Sequence, residues 1–71
     1  MRGPFIIRIV LADGVARYLF QSKYLSQRGT RYKHLSSART AARRYIGDGK
    51  RLGIFYVDII DDNDHERKID L

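Results

Sequence analysis

Two apolar runs separated by Asp13-Gly14 constrain this chain more than any other feature it carries. Side chains on an extended strand alternate between faces. From Phe5 to Ala12 this puts Phe5, Ile7, Ile9 and Leu11 on one face and Ile6, Arg8, Val10 and Ala12 on the other. Val15 opens a second run that ends near Phe20. Aspartate-glycine between two such runs predicts a hairpin with a two-residue type I′ loop, in which both central residues take positive φ. On that register Ala12 faces Val15, Ile9 faces Tyr18 and Ile7 faces Phe20. Ala16, Tyr18 and Phe20 then join Phe5, Ile7, Ile9 and Leu11 as the predicted core face. Arg8, Val10, Arg17 and Leu19 share the mixed face opposite.

The strand pattern fades after Tyr24, and the segment to His34 reads as a basic loop, with a short strand allowed from Thr30 to His34. Ser36 or Ser37 is the expected helix cap, because a serine hydroxyl satisfies a free N–H of the first turn. Ala38, Ala41, Ala42, Tyr45 and Ile46 then recur at helical spacing and form one apolar stripe. Gly47 is the expected left-handed stop. Ile54 to Asp61 reads as a strand with Phe55, Val57 and Ile59 inward and Ile54, Tyr56, Asp58 and Ile60 outward. Asp61-Asp62-Asn63-Asp64 is a turn by composition, and Glu66 to Leu71 can return as an edge strand.

The order predicts an α+β fold: a small three- to four-stranded antiparallel-type sheet (ββαβ, or ββαββ) with one helix packed on one face. A length of 71 residues makes a single small domain over 1–71, with an acid-rich hairpin or tail from about 61–71. A chain this short buries only about 60% of its unfolded surface. It has no cysteine to staple it, so a homodimer joined through edge strands is one expectation. The apolar runs are too short to span a bilayer. A charged start followed by a long apolar stretch is not found either, so a cytoplasmic protein without membrane contact is expected.

Charge gives the functional bias. Residues 1–53 hold 12 lysines and arginines against Asp13 and Asp48, a net of +10, whereas residues 54–71 carry a net of −4. Such asymmetry points to a polyanion partner. Arginine outnumbers lysine ten to four, and its planar fork suits bidentate phosphate contact. Arg39, Arg43 and Arg44 lie on the helix away from the alanine stripe, flanked by Arg28, Arg31 and Lys33 before it and Lys50 and Arg51 after it. Tyr32 and His34 sit among the basic loop residues, where a ring can stack on unpaired bases. The expectation is a non-enzymatic module that holds the phosphates of DNA or RNA through Arg39, Arg43, Arg44, Arg28, Arg31, Lys33, Lys50, Arg51 and Tyr32. About six phosphate contacts give a log–log salt slope of about −5. The plain alternative is that arginine, a good helix former, merely solvates the surface of the helix. A second alternative is a protein-interaction or inhibitor module, docking on an acidic protein or pairing through a sheet edge.

Other chemistry finds little footing. Gly47-Asp48-Gly49-Lys50 lacks the spacing and the following Ser or Thr of a phosphate loop, and reads as a helix stop with a turn. In the acid-rich segment from Asp58 to Glu66, neither frame starting at Asp61 or Asp62 supplies the sixth-position glycine of a calcium loop, and the segment reads as a solvated turn. Neither His34 nor His65 belongs to a recognisable triad. No catalytic residue, metal or cofactor is therefore expected. Tyr18 and Tyr45 read as core edges, and Tyr24, Tyr32 and Tyr56 as rim or contact surface. Two basic strands followed by a serine-started, alanine-rich helix, from Val15 to Ile46, make under half the chain similar in plan to the sheet-then-helix DNA-binding domains of the integrase amino-terminal type. In those domains the sheet reads the major groove. The strand after the helix departs from that plan, so no residue roles carry over.

Overall fold

The computed structural model describes residues 3–21, 23–47 and 53–69, without the side chains of 64–67. It is a small α+β domain: an antiparallel sheet with one helix packed on it. The elements run β1 (Phe5–Leu11), β2 (Ala16–Phe20), β3 (Tyr24–Ser26), α1 (Leu35–Tyr45), β4 (Ile54–Asp61) and β5 (Asp64–Ile69). The five strands lie in the order β3-β2-β1-β4-β5. A first meander, β1 to β3, fills one half of the sheet, and the β4–β5 hairpin pairs onto the free side of β1. The fifth strand is β3, three residues in the segment that the sequence pattern leaves as loop.

The hairpin register differs from expectation by one residue. Arg8 pairs with Tyr18, Ile9 with Arg17 and Val10 with Ala16. Gly14 N–H donates to Leu11 O at 2.9 Å, and Gly14 has φ +80° while Asp13 does not enter the positive-φ region. A type I′ turn would need both, so the connection is the three-residue kind that ends on a left-handed glycine. The Asp13 carboxylate reinforces it by accepting the Val15 N–H at 2.9 Å. A shift of one residue exchanges the two faces of a strand. Leu19 is consequently buried in the core, Ala16 and Phe20 are exposed, and Tyr18 lies on the opposite face of the sheet.

The core lies between the sheet and α1. Phe5, Ile7 and Ile9 of β1, Leu19 of β2 and Ile59 of β4 meet Ala38, Ala42 and Tyr45 of the helix. Alanines at the contact let the helix lie close on the sheet. The expected stripe is thus the one that packs, with Ala41 half-buried beside it. Its ends differ from the sequence reading. His34 is the N-cap and makes no side-chain cap bond, with Ser36 and Ser37 already inside the first turn. At the other end Ile46 stays right-handed, and its N–H donates to Ala42 O and Arg43 O. Gly47 is not among the glycines of positive φ, which are Gly3, Gly14 and Gly53 in the described residues.

A bulge shifts the start of β4. Val10 pairs with Tyr56 but Leu11 with Ile54, leaving Phe55 as the extra residue. Ile54 therefore packs against the core, and Phe55, expected inside, is 73% exposed. At the far end of β4 the acids do not form a solvated turn throughout. Asp61 is fully buried, and its Oδ1 accepts the Asn63 N–H at 2.9 Å. Asp62 N–H donates to Pro4 O at 2.8 Å. The Asn63 side-chain amide donates to Gly3 O, tying the turn to the start of the chain.

Candidate nucleic-acid interface

The expected cations divide between two places. Arg39, Arg43 and Arg44 ride on α1, where Arg39 is half-buried and the other two are exposed. Helical geometry, about 100° per residue, sets Arg39 and Arg43 on one flank and carries Arg44 round to the other. Arg43 and Arg44 occupy the last turn, where a cation also complements the helix dipole. Arg28, Arg31 and Lys33 belong to the connection from β3 to α1; Lys33 adjoins the N-cap His34, and Arg28 and Arg31 line the sheet face that α1 does not cover. The seven expected residues that are described thus divide between the helix and the connection before it. Lys50 and Arg51 lie outside the described residues.

That connection determines what surrounds the loop cations. Leaving β3, it crosses the face of the sheet that α1 does not cover. Gly29 lies directly on Ile6 and Tyr18: a Cβ there would overlap Ile6 Cγ2 and stand 2.9 Å from Tyr18 Cβ. Thr30 N–H donates to Leu19 O at 3.0 Å, and Thr30 Oγ1 accepts the Gln21 N–H at 2.7 Å. Tyr32 then exchanges both backbone hydrogen bonds with Phe5, at 2.7 and 2.8 Å, beyond the end of β2. The expected strand from Thr30 to His34 shrinks to this single bridge. The Tyr32 ring packs against the core, so it is not the open stacking surface that the sequence suggests.

Arg8, Arg17 and Arg31 each hold an acid on a strand or turn. The Arg8 guanidinium holds Asp58 through two hydrogen bonds, from Nε to Oδ1 at 2.9 Å and from Nη2 to Oδ2, with side chains 15% and 9% exposed. The Asp58 hydrogen bond raises the pKa of Arg8 above its ordinary value, against the opposing effect of burial. Its guanidinium carbon also stands 5.8 Å from the centre of the Tyr56 ring, within cation–π range. Arg17 pairs with Asp13 at 3.2 Å, and Arg31 pairs with Asp62 at 3.1 Å. Arg31 is thereby matched by an acid of the C-terminal segment.

The uncovered sheet face is the aromatic one. Phe20 and Tyr24 pair across β2 and β3, and Tyr18 follows two residues along on the same side. Ile6 pairs with Ile60 and Ile60 with Lys68 in the adjoining strands. Between this floor and the crossing connection runs an open groove of about 830 Å³. Ile6, Tyr18, Phe20 and Ile60 form its apolar lining, and Gln27, Arg28, Arg31 and Asp62 stand along its polar side. Sequence reasoning missed Tyr18 and Phe20 as surface groups because it assigned them to the core. Asp13 carries no decisive signal for this, because an aspartate both bonds the amide two residues on and tolerates a left-handed backbone.

No protein-family model matches the chain, and no curated protein or solved structure shows significant similarity to it. The integrase-type resemblance therefore remains one of element order. Among the described residues, no helix is long and apolar enough to cross a membrane.

Proposed function

We propose that this protein is a non-enzymatic binding module whose partner is nucleic acid, engaged through its phosphates. The observation that carries the reading is the composition of α1 as it packs. The helix commits Ala38, Ala42 and Tyr45 to the core and has three arginines and no acid in its eleven residues. Arg28 and Lys33, both exposed, extend positive charge along the connection before it. Three of the acids, meanwhile, are held by Arg8, Arg17 and Arg31. Contacts of this kind position a protein on a backbone without reading sequence. They release counterions, so affinity falls steeply with salt.

Anisotropy titrations of labelled duplex DNA, single-stranded DNA and RNA over a salt series test this reading. The expected result is binding at low salt to at least one of them, with a log–log slope that becomes shallower by about one for each phosphate-contacting cation removed. Arg39→Ser, Arg43→Ser and Arg44→Ser are the variants of choice. The absence of binding to all three probes at low salt would overturn the proposal.

A further inference from the structure

We infer that the nucleic acid this protein takes is a single strand, whose unpaired bases stack on the uncovered face of the sheet beside the connection that crosses it. The inference rests on the nucleic-acid reading, and it moves the centre of contact from the helix to the opposite side of the sheet.

Three observations converge. First, the sheet face beside the connection presents aromatic rings to water on two adjoining strands: Phe20 is 37% exposed and Tyr24 59%. A domain with so little core would gain by burying such rings, and β2 and β3 instead turn them outward. Every base has a π-face, and aromatic side chains on a sheet are a sequence-tolerant platform for it. Second, the crossing segment at Gly29 closes one side of the face into a groove whose floor is Ile6, Ile60 and Phe20. An apolar floor with a polar lip fits a planar base with its sugar and phosphate at the rim. Third, the charge around the groove suits an anionic strand. Asp62, which lines the groove, is bonded to Arg31, and Asp58 on the same face of the sheet is bonded to Arg8. Lys23 and Arg28 are exposed at the β2–β3 side, and Lys68 is exposed opposite Ile60. An apolar peptide would find no use for those cations. A duplex keeps its base faces inside its own stack, where rings on a sheet cannot reach them.

The test compares labelled oligo-dT and oligo-rU with a hairpin duplex of similar length, using the wild type, Phe20→Ala, Tyr24→Ala and the double variant Arg43→Ser/Arg44→Ser. The wild type is expected to favour the single strands by tenfold or more. Each aromatic variant should lose about 5- to 150-fold in single-strand affinity, the range for removal of one base stack. Its salt slope and its duplex binding should stay unchanged. Tyr24→Ala is the safer variant for folding, since Tyr24 is the more exposed ring, and circular dichroism checks both. The double variant should weaken binding to every probe alike and make the salt slope shallower, leaving the preference for single strands intact. Duplex binding as tight as single-strand binding, or aromatic variants that bind like wild type, would overturn this inference and leave the nucleic-acid reading standing. Failure of every probe to bind at low salt would remove both.

Discussion

Gly29 and Ile6 are in such close contact that no side chain larger than hydrogen fits between the crossing connection and β1. Glycine is required there for space, since its φ is not in the positive region. Gly29→Ala must push the connection away from Ile6 and Tyr18 or strain β1. Overpacking of this kind costs about 1–3 kcal/mol. The expected outcome is a lower urea midpoint and faster hydrogen exchange at the Thr30 amide, whose bond to Leu19 O anchors the same segment. An unchanged Thr30 exchange rate would mean that the segment does not rest on the sheet.

The shifted hairpin register makes a sharp contrast between neighbours. Leu19 is fully buried and Phe20 is 37% exposed, the reverse of what a two-residue loop would give. Leu19→Ala should therefore destabilise by about 2–5 kcal/mol, as deletions of buried leucine do. In a domain this size that loss is a large share of the total, which is about 4–11 kcal/mol for 71 residues. Phe20→Ala should cost far less. The same logic applies to β4, where Phe55→Ala should stay within about 0.5 kcal/mol, as surface changes do, and Ile59→Ala should be severe. Chemical denaturation of the four variants decides the register; equal losses at Leu19 and Phe20 would contradict it.

These two strands also show what a sequence pattern can and cannot carry. The period-two runs locate β1, β2 and β4, and the alanine stripe locates α1, because both periods are set by burial against one core. Facing is a finer matter. Whether Tyr18 and Phe20 point in or out hangs on one residue of turn length, and that is settled by where the Asp13 carboxylate bonds. Phe55 is displaced by a bulge that alternation cannot announce. Strand β3 is too short to show a period, and only its pairing of Phe20 with Tyr24 and Leu19 with Leu25 defines it. The cationic residues were legible as charge but not as a surface. Their division between helix and connection depends on the path through Gly29 and Tyr32, a matter of tertiary packing.

The Arg8–Asp58 pair lies on the face away from the helix, mostly screened from water. Removing one partner leaves the other underhydrated. Asp58→Ala should cost about 1.5–3 kcal/mol, the range for a hydrogen bond to a charged group. Replacing both with apolar residues, as in Arg8→Met/Asp58→Leu, should recover much of the loss, because a well-packed apolar pair can equal a buried ion pair. A double-mutant cycle by urea denaturation reads the coupling directly. Additive losses in the cycle would show that the two side chains do not act as a unit.

Acid should loosen the first hairpin through Asp13. Its pKa is held below the ordinary 3.8, first by the Val15 N–H and then by the Arg17 guanidinium. A carboxyl whose folded pKa is depressed contributes stability that is complete above its unfolded pKa and is lost as pH falls through the folded value. The loss should thus begin near pH 4 and finish at still lower pH, with no change toward neutrality from this group. The side-chain carboxyl carbon of Asp13, followed by NMR, should titrate with a midpoint under 3.8. Arg17→Ala should move that midpoint only part of the way back, since the Val15 amide remains in place. Asp13→Asn keeps an acceptor for that amide but removes the charge, so it should flatten this acid dependence while preserving the register of β1 and β2. A midpoint at or above 3.8 in the wild type would show that the Asp13 carboxylate does not hold the Val15 amide and the Arg17 guanidinium.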